Sequence, residues 1–176
     1  MERNCCKSQL DTETEEKIRE TSNFSSLLAS AQRGALEDIE EDKVTLYVNA
    51  VINSIKNENI DDTKKHIFLN MLRDFTILHI TLLQALSENL DNGDFKNGFQ
   101  KTIRDKPQTA WDIILEKNVE LKKQKDILHV FTHDLYEKHL LQKEYPLREL
   151  ASFGKIKKQT TDLGDEFLNF IDKIKD

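Results

Sequence analysis

His129 and His133 stand four residues apart and Glu137 follows four residues later, so on a helix all three share one face. Two imidazoles and a carboxylate placed in that way can hold zinc in a tetrahedral arrangement. The metalloprotease form of such a helix needs Glu directly after the first His to act as base, and Val130 occupies that place. The competing reading is a structural or solvated histidine pair. His79 lies in the most apolar stretch of the chain, where a hydrogen-bonded core or edge histidine is favoured over a ligand. Nucleophilic catalysis has little to stand on, because there is no Gly-x-Ser-x-Gly elbow and no Gly-rich phosphate loop ahead of a helix. The expectation is a non-enzyme with no cofactor and no metal.

A second constellation is basic. Lys117, Lys122, Lys123 and Lys125 cluster around Gln124, and Lys155, Lys157 and Lys158 cluster further on. Ammonium groups presented together neutralise phosphates and give salt-dependent affinity for duplex DNA. Base readout prefers Arg, Asn and Gln, and only Gln124 offers such a side chain there. The alternatives are a solvated lysine face, or pairing with acidic residues of the same chain or another subunit.

The elements must come from 176 residues of which 38% are hydrophobic and 33% charged, enough apolar material for a core and unlike a disordered chain. Five Gly and two Pro disfavour turn-rich all-β folds, so the class expected is mainly α. The net charge of −6 is uneven: residues 100–176 hold 15 of the 26 basic and 14 of the 32 acidic side chains, leaving 11 against 18 in the first 99. An acidic N-terminal half repels phosphate and anionic lipid, which confines any DNA contact to the C-terminal half. Cys5 and Cys6 are adjacent in a polar stretch, badly placed to bridge each other and without a second pair to complete a zinc site. Two free thiols are expected, with lipidation or metal binding as the alternative. Met1 to Leu10 lacks the apolar core of a signal peptide, and no run of about 18 apolar residues follows, so a cytoplasmic protein without membrane contact is expected.

Along the chain, residues 1–22 read as a flexible polar tail and 23–90 as a helical region. Ser25 to Ile39 has helical spacing interrupted by Gly34. Val44, Tyr47, Val48, Val51, Ile52 and Ile55 form one apolar helical stripe. Ile67 to Phe75 predicts another helix, and Thr76 to Leu90, apolar nearly all round, is the expected core element. Asp91-Asn92-Gly93-Asp94 is a loop signal that opens the module expected over 91–176, whose first helix could already be 76–90. Thr109 caps a short helix carrying Trp111, a packing anchor when buried and a contact residue when exposed. A longer helix is expected from about Val119 or Leu121 to Leu140. Pro146 and Gly154 then bracket short segments, Lys155 to Thr161 suits an extended strand, and a last helix carries Leu163, Phe167, Phe170, Ile171 and Ile174.

The order helix, helix, hairpin, helix, together with Asp126–Leu141 and Thr161-Asp162-Leu163-Gly164-Asp165-Glu166-Phe167-Leu168-Asn169-Phe170-Ile171, resembles small bacterial proteins, often phage- or defence-associated, that end in a winged-helix-like module. The likeness covers about residues 60–174, with His139 standing where the family pattern has Gly. It implies a helical N-terminal region packed on a C-terminal winged-helix-like module with a short β-hairpin. Winged helices serve DNA binding, protein contact and dimerisation alike. Two functions follow as expectations: a regulatory or phage-defence-associated protein that touches double-stranded DNA through the two lysine clusters, or a protein-interaction or homodimerisation module with no nucleic-acid contact.

Overall fold

A computed structural model describes residues 24–38, 40–56, 60–91, 109–148 and 155–173. In chain order they form α1 (Phe24–Glu37), α2 (Glu41–Lys56), α3 (Asp62–Asp74), α4 (Ile77–Ser87), β1 (Leu90–Asp91), α5 (Ala110–Lys117), α6 (Val119–Lys123), a 3-10 turn (Lys125–Ile127), α7 (Leu128–Glu137), a second 3-10 turn (Pro146–Arg148), β2 (Lys155–Ile156) and α8 (Asp162–Ile171). The described residues are mainly helical, as the composition implies. The tail over 1–22, with Cys5 and Cys6, lies outside them. The backbone divides into two compact units, one of residues 1–70 with 170–176 and one of residues 71–169.

In the first unit α1 buries Leu27, Ala31 and Gly34, an i, i+4, i+7 line. Gly34 does not interrupt the helix. It lets α2 come close, because a Cβ at that position would stand 2.5 Å from the ring tip of Tyr47. The buried line of α2 is Lys43, Tyr47, Ala50 and Ser54, not the Val-rich stripe expected, and Val48 is exposed. Small Ala50 and Ser54 permit close packing, and Asp38 pairs with the buried Lys43 ammonium. Asn49 and Asn53, one turn apart on α2, meet the C-terminal end of α8. Asn53 Nδ2 donates to the carbonyls of Phe170 (2.9 Å) and Asp172 (2.8 Å), and Asn49 Nδ2 to that of Ile171 (3.2 Å). These carbonyls have no partner within their own helix, so α2 supplies the cap. Phe68 and Phe170 complete the core with ring centroids 5.4 Å apart.

The second unit is organised on α4, whose His79, Ile80, Leu82, Leu83 and Leu86 are all buried, as its apolar circumference predicts. The core of this unit also holds Phe75, Ile113, Ile114, Leu121, Leu128, Leu135 and Phe167, each almost fully buried. β1 pairs antiparallel with β2 in the register Leu90 with Ile156 and Asp91 with Lys155. The extended run continues past β2: Gln159 N–H donates to Leu86 O at 2.9 Å, Gln142 N–H to Gln159 O at 2.8 Å, and Thr161 N–H to Leu140 O at 3.0 Å. The last two flank a single isolated antiparallel bridge between Leu141 and Thr160.

This corrects the expected β-hairpin. The strand partner of β2 comes from ahead of α5, and among the described residues the segments around Leu141 and Thr160 meet in a single bridge. Pro146, which has no N–H to give to a ladder, is buried in a 3-10 turn a few residues after Leu141, so the chain there does not extend the pairing. The long helix expected from about Leu121 to Leu140 is also divided. Leu121 and Leu128 point inward, but everything between them is exposed, and the chain tightens into the 3-10 turn at Lys125–Ile127 before α7 begins.

Candidate binding surface

Thr109 and Asp112 start α5 with a capping box: Asp112 N–H donates to Thr109 Oγ1 (3.3 Å) and Thr109 N–H to Asp112 Oδ2 (2.9 Å). Asn118 then ends α5 and begins α6, its backbone N–H and Nδ2 both donating to Ile114 O. Extended backbone at that one residue turns the chain, so buried Leu121 anchors α6 while Lys122 and Lys123 face solvent. α7 is amphipathic: Leu128, Phe131, Thr132 and Leu135 point inward. His129, Val130, His133 and Glu137 are exposed, and Ile127 precedes them on the same side.

The basic residues do not form one uniform cluster. Lys117, Lys122, Lys123, Gln124, Lys125 and Lys157 are exposed. Lys123 is held by Glu120 at 2.8 Å. Lys158 is bonded to Asp165, and Lys155 contributes backbone to β2. Lys122, Lys125 and Lys157 carry no ion pair among the described residues. Counting every ionisable side chain of residues 71–169, 15 are basic and 16 acidic. This unit therefore lacks the positive excess of a dedicated DNA binder.

His129, His133 and Glu137 share the outward face of α7 as their spacing requires, yet they do not assemble a metal site. His133 Nδ1 turns to Glu144 Oε1 at 3.7 Å, and among the described residues no three His, Cys, Asp or Glu side chains are placed to hold a metal ion. Next to Glu144, the Tyr145 phenol is bonded to that carboxylate, which raises its pKa above the ordinary tyrosine value, and Arg148 lies 5.0 Å over its ring.

Sequence reasoning placed His79 correctly in the core but missed what surrounds it. Its ring stacks on Phe75 (centroids 5.3 Å, 19°) and leans on Phe131 (4.2 Å). Nδ1 accepts the backbone N–H of Thr76 at 3.2 Å and stands 2.8 Å from Thr76 Oγ1, while Nε2 faces Asp134 Oδ2 at 3.3 Å. Hydroxyl, imidazole and carboxylate in a row suggest the triad of acyl-transfer enzymes. Here, however, the Nδ1 lone pair is shared with a backbone amide at a helix start, so the arrangement is a cap. The signal was present as Thr-x-x-His, a capping box with His at the position usually held by Glu or Gln.

Comparisons of the chain with protein-family models, with curated proteins and with solved structures find no match.

Proposed function

We propose that this chain is a non-catalytic binding protein, that its 71–169 unit is a winged-helix-like module, and that the module makes contact with another protein. Element order supports the middle part of this reading. Helix α4, strand β1, helices α5 and α7, the bridge at Leu141 and a returning extended run that pairs with β1 follow the succession of a winged helix with a shortened wing. The phage- or defence-associated setting implied by the resemblance is carried along with it.

The single observation behind a protein partner is the outer face of α7. A DNA-reading winged helix lays this element in the major groove and needs Arg, Lys, Asn or Gln on it. Leu128–Glu137 has none of these, and its solvent face is Val130, His129, His133 and Glu137, continued by exposed Ile127. Apolar side chains mixed with histidines and a carboxylate suit a protein contact better than a base edge. A second reading has its own observation: Lys122, Lys125 and Lys157, exposed and without ion-pair partners among the described residues, could touch phosphates without reading sequence.

One experiment separates them. Duplex DNA titrated at about 50 mM salt is expected to give no saturable binding. A photo-cross-linker at position 130 is expected to give protein adducts that one at exposed Leu36 does not. Tight DNA binding at about 50 mM that collapses at 200 mM would replace the protein reading by the phosphate one.

A further inference from the structure

The geometry points to a proton-sensitive latch at His79 that joins the first turn of α4 to α7. Thr76 is the N-cap of α4, in extended backbone, and its own amide is bonded to His79 Nδ1. An N–H can be accepted only by an unprotonated nitrogen, so the folded ring is the neutral tautomer with its proton on Nε2. That proton is directed at Asp134 Oδ2 on α7. His79 is 6% exposed, and its ring lies against Phe75 and Phe131, which fixes its plane.

Protonation changes the two ends in opposite senses. A second ring proton on Nδ1 would face the Thr76 N–H donor and turn to Thr76 Oγ1, 2.8 Å away, so the Thr76 amide loses its side-chain acceptor while the backbone bond from Ile80 N–H to Thr76 O remains. The imidazolium also sits at a helix N-terminus, where the macrodipole opposes positive charge. At Nε2 the contact with Asp134 becomes a charge-assisted bond and strengthens. Among the described residues, Asp74 from α3 and Lys138 just past the end of α7 also bring charge to this end and pair with each other at 3.2 Å; Lys138 follows Asp134 by one helical turn. α8 brings an uncharged ring, Phe167, against Phe75. Acid thus moves His79 from capping α4 to gripping α7, the helix that carries the proposed contact face. The latch stands on the geometry of Thr76, His79 and Asp134 and does not require that reading of α7.

Heteronuclear NMR on the full chain tests it. At neutral pH the ring nitrogens of His79 are expected to show the Nε2–H tautomer, and the Thr76 amide signal is expected to move in step with the ring as it titrates. In Asp134→Asn the midpoint of both curves is expected to fall by about one pH unit, because a carboxylate partner favours the charged ring. Asp134 is half exposed, so the substitution leaves no buried group stranded. An Nδ1–H tautomer at neutral pH, or a Thr76 amide that ignores the ring titration, would overturn the cap. A midpoint unchanged in Asp134→Asn would overturn the link to α7.

Discussion

Gly164, in the first turn of α8, lies directly against the carbonyl of Leu140: a Cβ at 164 would stand 2.4 Å from that oxygen and 3.2 Å from its carbon. The same carbonyl accepts the N–H of Thr161, so it cannot move without breaking the contact that closes the extended run onto α8. Gly164→Ala is therefore expected to destabilise the protein by about 1–3 kcal/mol in urea titration, although alanine is the better helix former. Gly34→Ala is the control. There the obstacle is the buried ring of Tyr47, a side chain and not backbone, and the gain in helix propensity of about 1 kcal/mol offsets part of the cost. Equal losses at the two positions would show that the backbone carbonyl is not what demands glycine at 164.

His139, between α7 and the Leu141 bridge, has φ 59°, the left-handed region in which a Cβ crowds the following carbonyl. It is held there from both sides, its N–H donating to Tyr136 O at 2.8 Å and its carbonyl accepting the Thr161 hydroxyl at 2.7 Å. Left-handed backbone costs a non-glycine residue about 1–2 kcal/mol, of which glycine returns part through its greater unfolded entropy. His139→Gly is expected to raise stability by about 0.5–1 kcal/mol, read as an increased urea midpoint at unchanged slope. A lowered midpoint would mean that the exposed imidazole makes a contact worth more than the strain.

What the sequence made legible follows the range of each interaction. The all-round apolar pattern of Thr76–Leu90 marked α4 as central, and Thr109 was readable as a cap because both depend on neighbours within a turn or two. The partner of β2 was not legible, since Leu90 and Ile156 are brought together only by packing of everything between them. Nor was the buried line of α2, where Ala50 and Ser54 outrank Val48 because close approach of backbones matters more there than side-chain hydropathy. The lysine clusters were visible as composition, but which of them Glu120 and Asp165 neutralise is a matter of geometry.

Asn53 caps the end of α8 through two carbonyls, and neither has another acceptor role within a regular helix. Asn53→Ala is expected to cost about 1–2 kcal/mol, roughly the net worth of two part-exposed hydrogen bonds. Asn49→Ala, which removes one longer bond of 3.2 Å, is expected to cost less. Hydrogen exchange should localise the difference: the amides at the end of α8 lose protection in Asn53→Ala, while those of α4 do not. Uniform loss over the whole chain would argue against a local cap.

Asp165 should give the protein a defined response to acid. Burial raises the pKa of its carboxyl, but hydrogen bonds from Lys158 and from Thr160 Oγ1 (2.6 Å), with the charge of Lys158, more than offset this and hold it below the ordinary aspartate value. As pH falls the unfolded chain takes up this proton first, near the ordinary value of about 3.9, so the native state loses its advantage progressively until the folded carboxyl is protonated as well. The contribution is complete above about pH 5 and absent below the folded pKa. It is about 1 kcal/mol at most, because both side chains are part exposed and screened by water. Asp165→Asn keeps an acceptor for Thr160 but removes the charge, so it is expected to be less stable than the parent at pH 7 and to converge with it at about pH 2. Denaturant midpoints measured at both pH values check this: a gap between the two proteins that persists in acid would assign the loss to packing at α8 instead of to the carboxylate.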